Sequence, residues 1–317
     1  MDNISIDVVI PVYKPGEEFK GLLKGLQKQT CPVNKIIIIN TEQQYFTAEY
    51  CMYSNMEIVH ISKEEFDHAA TRNMGMGLSD SEYVVFMTMD AIPYDEQLVE
   101  KLLEPHINSN GEVKIAVSYA RQLPRDDCRL MEQYTRIFNY PDESMIKTSK
   151  DMDKLGIKTY FCSDVCAMYN RKTYYELGGF VPKAIFNEDM IYAAKAINSG
   201  YGIAYCAQAK VIHSHNYTIR QQFSRNFDMG VSQALHPEVF DGVASEGEGL
   251  RLVKNTAGFL LKNGHWYDVP YLIISSGAKY MGYRKGKRFK KLSPKKIYRY
   301  TMNSSYWNNY GECKNCD

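Results

Sequence analysis

The sequence predicts an α/β protein built on a doubly wound, mainly parallel sheet, and three observations carry that expectation. Strand-like and helix-like segments alternate through the first hundred residues, as they do when helices cross over between parallel strands. "KIIIIN", residues 35–40, is an unbroken β-branched run, the composition of a strand covered on both faces. "VVFMTMDAIP", residues 84–93, is an apolar run that ends in one acid, Asp90, at the carboxyl edge where such sheets bind their ligands.

Each element follows in order. Ile6 to Val12 reads as the first strand, and "YKPGEE" turns into a helix whose apolar positions Phe19, Leu22, Leu23 and Leu26 recur at helical spacing. The second strand is residues 35–40, and a third lies near "MEIVHI". "FDHAATRNMGMGL", with Asn73, is a loop entering a helix, and "EYVVFMTMD" is the next buried strand. Asp95 is the N-cap candidate for the helix containing "QLVEKLLE". After a strand at "KIAVSYA", residues 121–156 form a long polar stretch, expected to be a helix plus a mobile, acceptor-facing loop. "TYFCSDVCAMYNRKTYYELGGF" returns to strand, turn and helix. "NEDMIYAAKAINSG" is a helix with Asn187 as N-cap and Gly200 as stop, and "AYCAQAKVIHSHNYT" is a strand again.

The totals narrow the function classes. A chain of 317 residues can bury a substantial core. Its formal net charge of +1 excludes any global electrostatic argument. No apolar stretch is long enough to cross a bilayer, and "MDNISIDVVIP" lacks the basic and apolar regions of a signal peptide. A cytoplasmic protein is expected, and eight scattered cysteines fit reduced thiols. Cys313 and Cys316 have a ligand-like spacing but lack the other two ligands of a structural zinc.

Five acids and histidines stand out chemically. An unpaired carboxylate at the end of a buried strand is expensive to hold, and a hard divalent cation shared with phosphate oxygens would neutralise Asp90. Glu188 and Asp189 open a helix. Neighbouring helical residues do not share a face, so one can point into a cleft as a general base while the other favours the helix dipole. His213 and His215 project from the same side of a strand. That spacing suits a metal ligand beside a site-lining imidazole, or simply a solvated pair.

Together, "IPVYKP", "FDHAATRNMG", "MTMDAIP", "FCSDVCAMYNRKTYYELGGF", "FNEDMIYAAKAINSGYGIAY" and "VIHSHNYTIRQQFSRNFDMG" resemble the ordered motifs of family-two inverting glycosyltransferases with the GT-A fold. Within that family the chain is most similar to bacterial rhamnosyltransferases that use dTDP-L-rhamnose to build surface polysaccharides. The resemblance spans residue 4 to the 230s and continues in "YLIISSGAKYMGYRKGK". It implies a transferase unit over residues 1–235, with a nucleotide-sugar half to about residue 120 and an acceptor half beyond it. Residues 236–317 would be a helical, basic extension.

The resemblance also implies roles. The family's D-x-D motif falls on Thr88, Met89 and Asp90, so only its second acid is present. Asp90, with His213 or His215, would hold Mg²⁺ or Mn²⁺ on the diphosphate, and Thr88 would offer a hydroxyl. Asp189 would be the general base that deprotonates an acceptor hydroxyl, with Glu188 beside it. Pro11, Val12 and Tyr13 would lie against base and ribose. Arg72 would reach the nucleotide or its diphosphate, with His68 in the same loop, and Asp164 would approach the sugar or acceptor.

Two departures bear on specificity. The second strand ends in Asn40 and Thr41 instead of the acid that reads a pyrimidine, so base recognition must use amide or hydroxyl groups; the alternative donor to dTDP-rhamnose is a UDP-linked galactose or N-acetylhexosamine. Gln222 and Arg225 have the spacing of the Q-x-x-R-W motif of processive synthases, but Asn226 replaces the tryptophan. That argues against polymer extrusion, and Arg225 would approach the diphosphate instead.

From Lys279 to Arg299 eight or more basic residues occur without an acid, interleaved with tyrosines and Phe289. The expected partner is the anionic inner leaflet, where each basic residue contributes on the order of 1 kcal/mol, docked through an amphipathic helix at "VPYLIISSGAKYMGY". No nucleic-acid module is present. A dinucleotide-dependent oxidoreductase would need a glycine fingerprint after the first strand, where the chain reads "IPVYKPGEE". An inactive scaffold of the same fold would differ in having no turnover to lose.

Overall fold

In the computed structural model, which describes residues 4–108, 113–242 and 246–308, the apolar runs become the strands of one sheet. They are β1 (Ile6–Tyr13), β2 (Lys35–Thr41), β3 (Met56–Ile61), β4 (Tyr83–Met87), β5 (Ile92–Pro93), β6 (Ile115–Leu123), β7 (Met145–Lys147), β8 (Cys166–Asn170) and β9 (Gly202–Ile212). Their order is β3-β2-β1-β4-β8-β6-β9-β5, with β7 paired to β9. The helices are α1 (Glu17–Gln27), α2 (His68–Leu78), α3 (Leu98–Ile107), α4 (Leu130–Asn139), α5 (Met152–Leu155) and α6 (Arg171–Glu176). They continue with α7 (Glu188–Asn198), α8 (Ile219–Leu235), α9 (Pro237–Phe240), α10 (Glu246–Lys262), α11 (Val269–Gly286) and α12 (Pro294–Tyr300).

The parallel expectation holds for β3-β2-β1-β4 and for β6 with β9. It fails at β8, which runs antiparallel to both β4 and β6, and at β5 and β7, both antiparallel to β9. The sheet is therefore mixed. Reversal of β8 has a local consequence: its first residues lie at the same edge of the sheet as the last residues of β1, β2 and β4.

The alternation of β2 explains its composition. Ile36 and Ile38 pack on one side with Phe19, Leu22, Leu23 and Leu26 of α1, and Leu98 and Leu102 of α3. Ile37 and Ile39 pack on the other side with Met76, Phe86, Tyr169, Tyr174 and Tyr192. Each such side chain contributes about 1.5–3 kcal/mol by leaving water.

Several local expectations are corrected. Asp95 does not cap α3: Gln97 occupies that position without a side-chain bond, while Asp95 accepts from the Gln97 N–H at 3.0 Å in the preceding turn. Asn187 does precede α7, but in a left-handed conformation with φ 64°. Its side-chain oxygen accepts no bond from the first turn, and its amide donates to Ser232 Oγ. Gly200 terminates α7 as expected, with φ +87°. Residues 121–156 are more ordered than the mobile loop expected of them, because β7 adds a strand to β9. The Lys147 ammonium, buried there, donates to the carbonyls of Lys158 and Phe161. Cys313 and Cys316 lie outside the described residues.

Beyond the sheet, α11 lies along α8 at very close range. A Cβ on Gly282 would stand 2.2 Å from the Phe223 carbonyl oxygen, and one on Gly286 would stand 2.1 Å from that of Phe227. Only glycine lets the two backbones approach so far.

Candidate active site

The site is assembled at one edge of the sheet. Pro11, Val12 and Tyr13 end β1, Asn40 and Thr41 end β2, and Thr88, Met89 and Asp90 follow β4. The reversed β8 brings Ser163 and Asp164, just ahead of it, to that edge, and β9 delivers His213 and His215 just past its end. The N-terminus of α7 adds Glu188 and Asp189.

Asp90, His213 and His215 form one cluster, with ligand atoms of all three within 4.8 Å of one another. The Nε2 atoms of His213 and His215 lie 3.6 Å and 3.4 Å from the same Asp90 oxygen, Oδ2. Gln122, near the end of β6, determines the His213 tautomer. Its Oε1 accepts from the Arg136 guanidinium at 2.7 Å and its Nε2 donates to Tyr140 Oη and Ser163 Oγ. Since an arginine can only donate, the atom facing Arg136 is the oxygen. The His213 Nδ1, 3.0 Å from that oxygen, must carry the proton. The Nε2 lone pair is left directed toward Asp90, the outer-shell arrangement that prepares a histidine for a cation.

Both imidazoles are held neutral. Burial pushes the His213 pKa well below the usual histidine range, followed by His215 and the guanidinium groups of Arg136, Arg225 and Arg125. Burial also lowers His215, against an opposing pull from Asp90. Two neutral nitrogens and one carboxylate oxygen make a donor set that fits a divalent transition cation such as Mn²⁺ better than the oxygen-preferring Mg²⁺.

A second cluster lies beside the first. Arg72, one turn into α2 and 5% exposed, places Nε 3.3 Å from Asp164 Oδ2 and donates from its terminal nitrogen to Glu188 Oε1 at 3.1 Å. It also donates to the His68 carbonyl. Arg72 thus lies between two buried acids and a carbonyl, while its Nε makes no hydrogen bond. Glu188 and Asp189 diverge as neighbouring helical residues must, Glu188 to Arg72 and Asp189 to the Asp164 backbone N–H at 3.2 Å. Burial, then Asp164, then Glu188 push the Asp189 pKa well above the usual carboxylate range. Burial likewise raises Asp164 to about 7, against Arg72. The two clusters are joined, because Gln122, which orients His213, also bonds Ser163, and Ser163 precedes Asp164.

The remaining residues border this edge. Asn40 is fully buried, with its amide 3.0 Å from His60 Nδ1. Its Oδ1 has no partner, and neither do the buried hydroxyls of Thr41 and Thr88. Unmade bonds of this kind cost about 1–3 kcal/mol each. Tyr13 is not a core aromatic: it is 38% exposed and meets Tyr45 edge-on at 5.7 Å. Arg225 lies over Phe186 at 4.5 Å and Tyr217 at 5.7 Å. His68 packs edge-on against Phe66. Sequence reasoning missed Gln122, Arg125 and Arg136. The available signal was "RQLPR" at the end of a strand headed for the ligand edge.

Comparison with known proteins shows what the chain is similar to. Residues 7–178 match glycosyl transferase family 2. An O-antigen chain rhamnosyltransferase of Salmonella typhimurium, RfbN, is 37% identical over 96% of this chain and 97% of its own length. WbaN of Salmonella anatum, described in the same words, is 38% identical over 96% of each chain. Among solved structures, the mannosyltransferase PcManGT of Pyrobaculum calidifontis, in complex with GDP-Man and Mn²⁺, superposes with a TM-score of 0.54. It is 13% identical, covering 97% of this chain and 87% of that one, a likeness of fold alone.

Proposed function

The chain belongs to glycosyl transferase family 2, and from that premise we propose that it transfers L-rhamnose from dTDP-L-rhamnose, with inversion, to a hydroxyl of a lipid-linked or growing O-antigen glycan. The observation that carries this reading is the joining of two clusters at one sheet edge: a neutral-histidine and carboxylate donor set and a carboxyl of raised proton affinity. The rhamnose itself rests on the full-length likeness to RfbN and WbaN.

Asp90 Oδ2 and the Nε2 atoms of His213 and His215 are the residues that would hold Mg²⁺ or Mn²⁺. When bound, such an ion stabilises the negative charge that grows on a departing diphosphate. Gln122 keeps His213 in the tautomer that leaves Nε2 free. Arg225, with Arg125 and Arg136, surrounds this position with fixed positive charge, and Thr88 offers its unpartnered hydroxyl. Pro11, Val12 and Tyr13 would flank base and ribose, and the bare Oδ1 of Asn40 would accept from a pyrimidine N–H.

Asp189 takes the proton from the acceptor hydroxyl as that oxygen attacks the anomeric carbon on the face opposite the diphosphate. One displacement gives inversion. A raised pKa makes the ionised carboxylate a stronger base than an ordinary aspartate. Asp164, through its backbone N–H, orients Asp189, and Arg72 holds Asp164 and Glu188 in place. The nucleotide half would lie in residues 1–120 and the acceptor half in residues 121–235, with the enzyme at the cytoplasmic face of the membrane. No described helix is long and apolar enough to span it.

Asn40 is compatible with a second reading, a UDP-sugar donor, because uracil and thymine present the same N–H and carbonyl edge. Thermal-shift and turnover measurements across dTDP-rhamnose and UDP-sugars, with and without Mn²⁺, decide between the two. Stabilisation and turnover by a UDP-sugar, with dTDP-rhamnose inert, would refute rhamnose transfer.

A further inference from the structure

Helix α11 is built with its small side chains inward and its large ones outward. Ser275, Ala278, Gly282 and Gly286 are buried toward α8, and Leu272 is the one large side chain of the helix that is buried with them. Ile273, Ile274, Tyr280 and Met281 are each more than half exposed. The exposed positions 270, 273, 274, 277, 280, 281, 284, 285 and 288 recur every three to four residues and so form a single stripe. Along that stripe the chemistry changes once, from apolar at Ile273, Ile274, Tyr280 and Met281 to cationic at Arg284, Lys285 and Arg288. Trp266, 69% exposed, and Tyr267 precede the helix.

Apolar side chains gathered into one exposed stripe mark a contact surface in a way that scattered ones do not. We propose that this stripe seats in the interfacial layer of an anionic bilayer. Ile273, Ile274, Tyr280 and Met281 enter among the upper acyl carbons, and Arg284, Lys285 and Arg288 pair with lipid phosphates. Trp266 and Tyr267 supply the amphipathic rings that favour headgroup depth. Charge complementarity selects lipid over a second copy of the chain. Residues 269–299 contain no acid, so a copy packed through this stripe would offer its basic turn no carboxylate from the same surface. The stripe is also tied to the active edge. Thr218 caps α8 three residues after His215, and Tyr271 of α11 accepts from Arg129 ahead of α4 at 2.8 Å. Docking does not depend on the identity of the donor sugar. It rests on the proposed function only in placing the enzyme where a lipid-linked acceptor resides.

Flotation of the full chain with phosphatidylcholine vesicles, with and without phosphatidylglycerol, at low and high salt, tests this. The wild-type protein is expected to float only with the anionic vesicles and to retain a salt-resistant fraction. The I273D/I274D pair should lose that fraction, with affinity falling on the order of tenfold or more. R284E/K285E/R288E should lose binding at low salt. Thermal shift with dTDP-rhamnose and Mn²⁺ should match wild type in both variants, which establishes folding and separates failure of docking from failure of the donor reading. Equal flotation with neutral vesicles, no flotation at all, or wild-type flotation by a folded I273D/I274D protein would overturn the proposal. So would a concentration-dependent dimer that I273D/I274D dissolves while vesicles are ignored.

Discussion

The two clusters at the sheet edge solve the same problem in opposite ways. Both hold carboxylates away from bulk water, but the acids of the second, Asp164 and Glu188, have a guanidinium built in, whereas Asp90 meets only neutral histidines at ion-pairing distance among the described residues. The first is completed from outside and the second is complete in itself. Removing the cation should therefore be a matter of binding at Asp90 and a matter of folding at Arg72.

The comparison breaks most visibly at its catalytic end. Asp189→Asn should lower transfer by about 10²–10⁴-fold, the range of general base catalysis, with the nucleotide-sugar thermal shift unchanged. A variant that still turns over would remove Asp189 from the reaction. Next, Arg72→Met leaves two buried acids unpaired and should destabilise the fold by about 3–5 kcal/mol in denaturant titration. Asp90→Asn should leave metal-free stability within about 0.5 kcal/mol of wild type. Equal losses at both sites would erase the distinction.

A smaller effect is expected at Gln122, where Leu should weaken Mn²⁺ binding by about 10–100-fold, read by titration calorimetry without substrate, because the His213 tautomer is then free to invert. The smallest concerns pH. The ionised, proton-accepting form of Asp189 is lost as pH falls through its pKa. Because that pKa is raised, the acid limb of the rate profile should lie above the range of an ordinary carboxylate. A limb near pH 4 would show that the acceptor or the donor changes this environment on binding.

Much of this was legible in the sequence, and what was not has a common cause. The isoleucines of β2 and the periodic face of α1 are local signals, fixed by spacing within a strand or helix, and Asp189 opens a helix as its sequence reads; Asp90, His213 and His215 stand just past strand ends, so the histidines do not lie within the strand expected of them. The direction of β8 is not local, since alternation reads the same either way, and that direction delivers Asp164. The ion pairs of Arg72 could not be read from the sequence because its partners, Asp164 and Glu188, lie far along the chain. Gln122 and Arg136 become a pair only when α4 folds back on β6. In α11 the apolar content suggested an amphipathic helix. Which side faces the protein is decided instead by the glycines, whose size matters only once α8 is alongside.

Those glycines also have a mechanical consequence. With Phe223 and Phe227 carbonyls lodged where side chains would otherwise be, α11 packs closely along α8, which leads to the histidines, and its outward stripe is oriented by that contact. Seated on a flat leaflet, such a bracket would act as a ruler. It would set the height of the catalytic edge above the lipid, and with it how far along a tethered glycan the next sugar can be added.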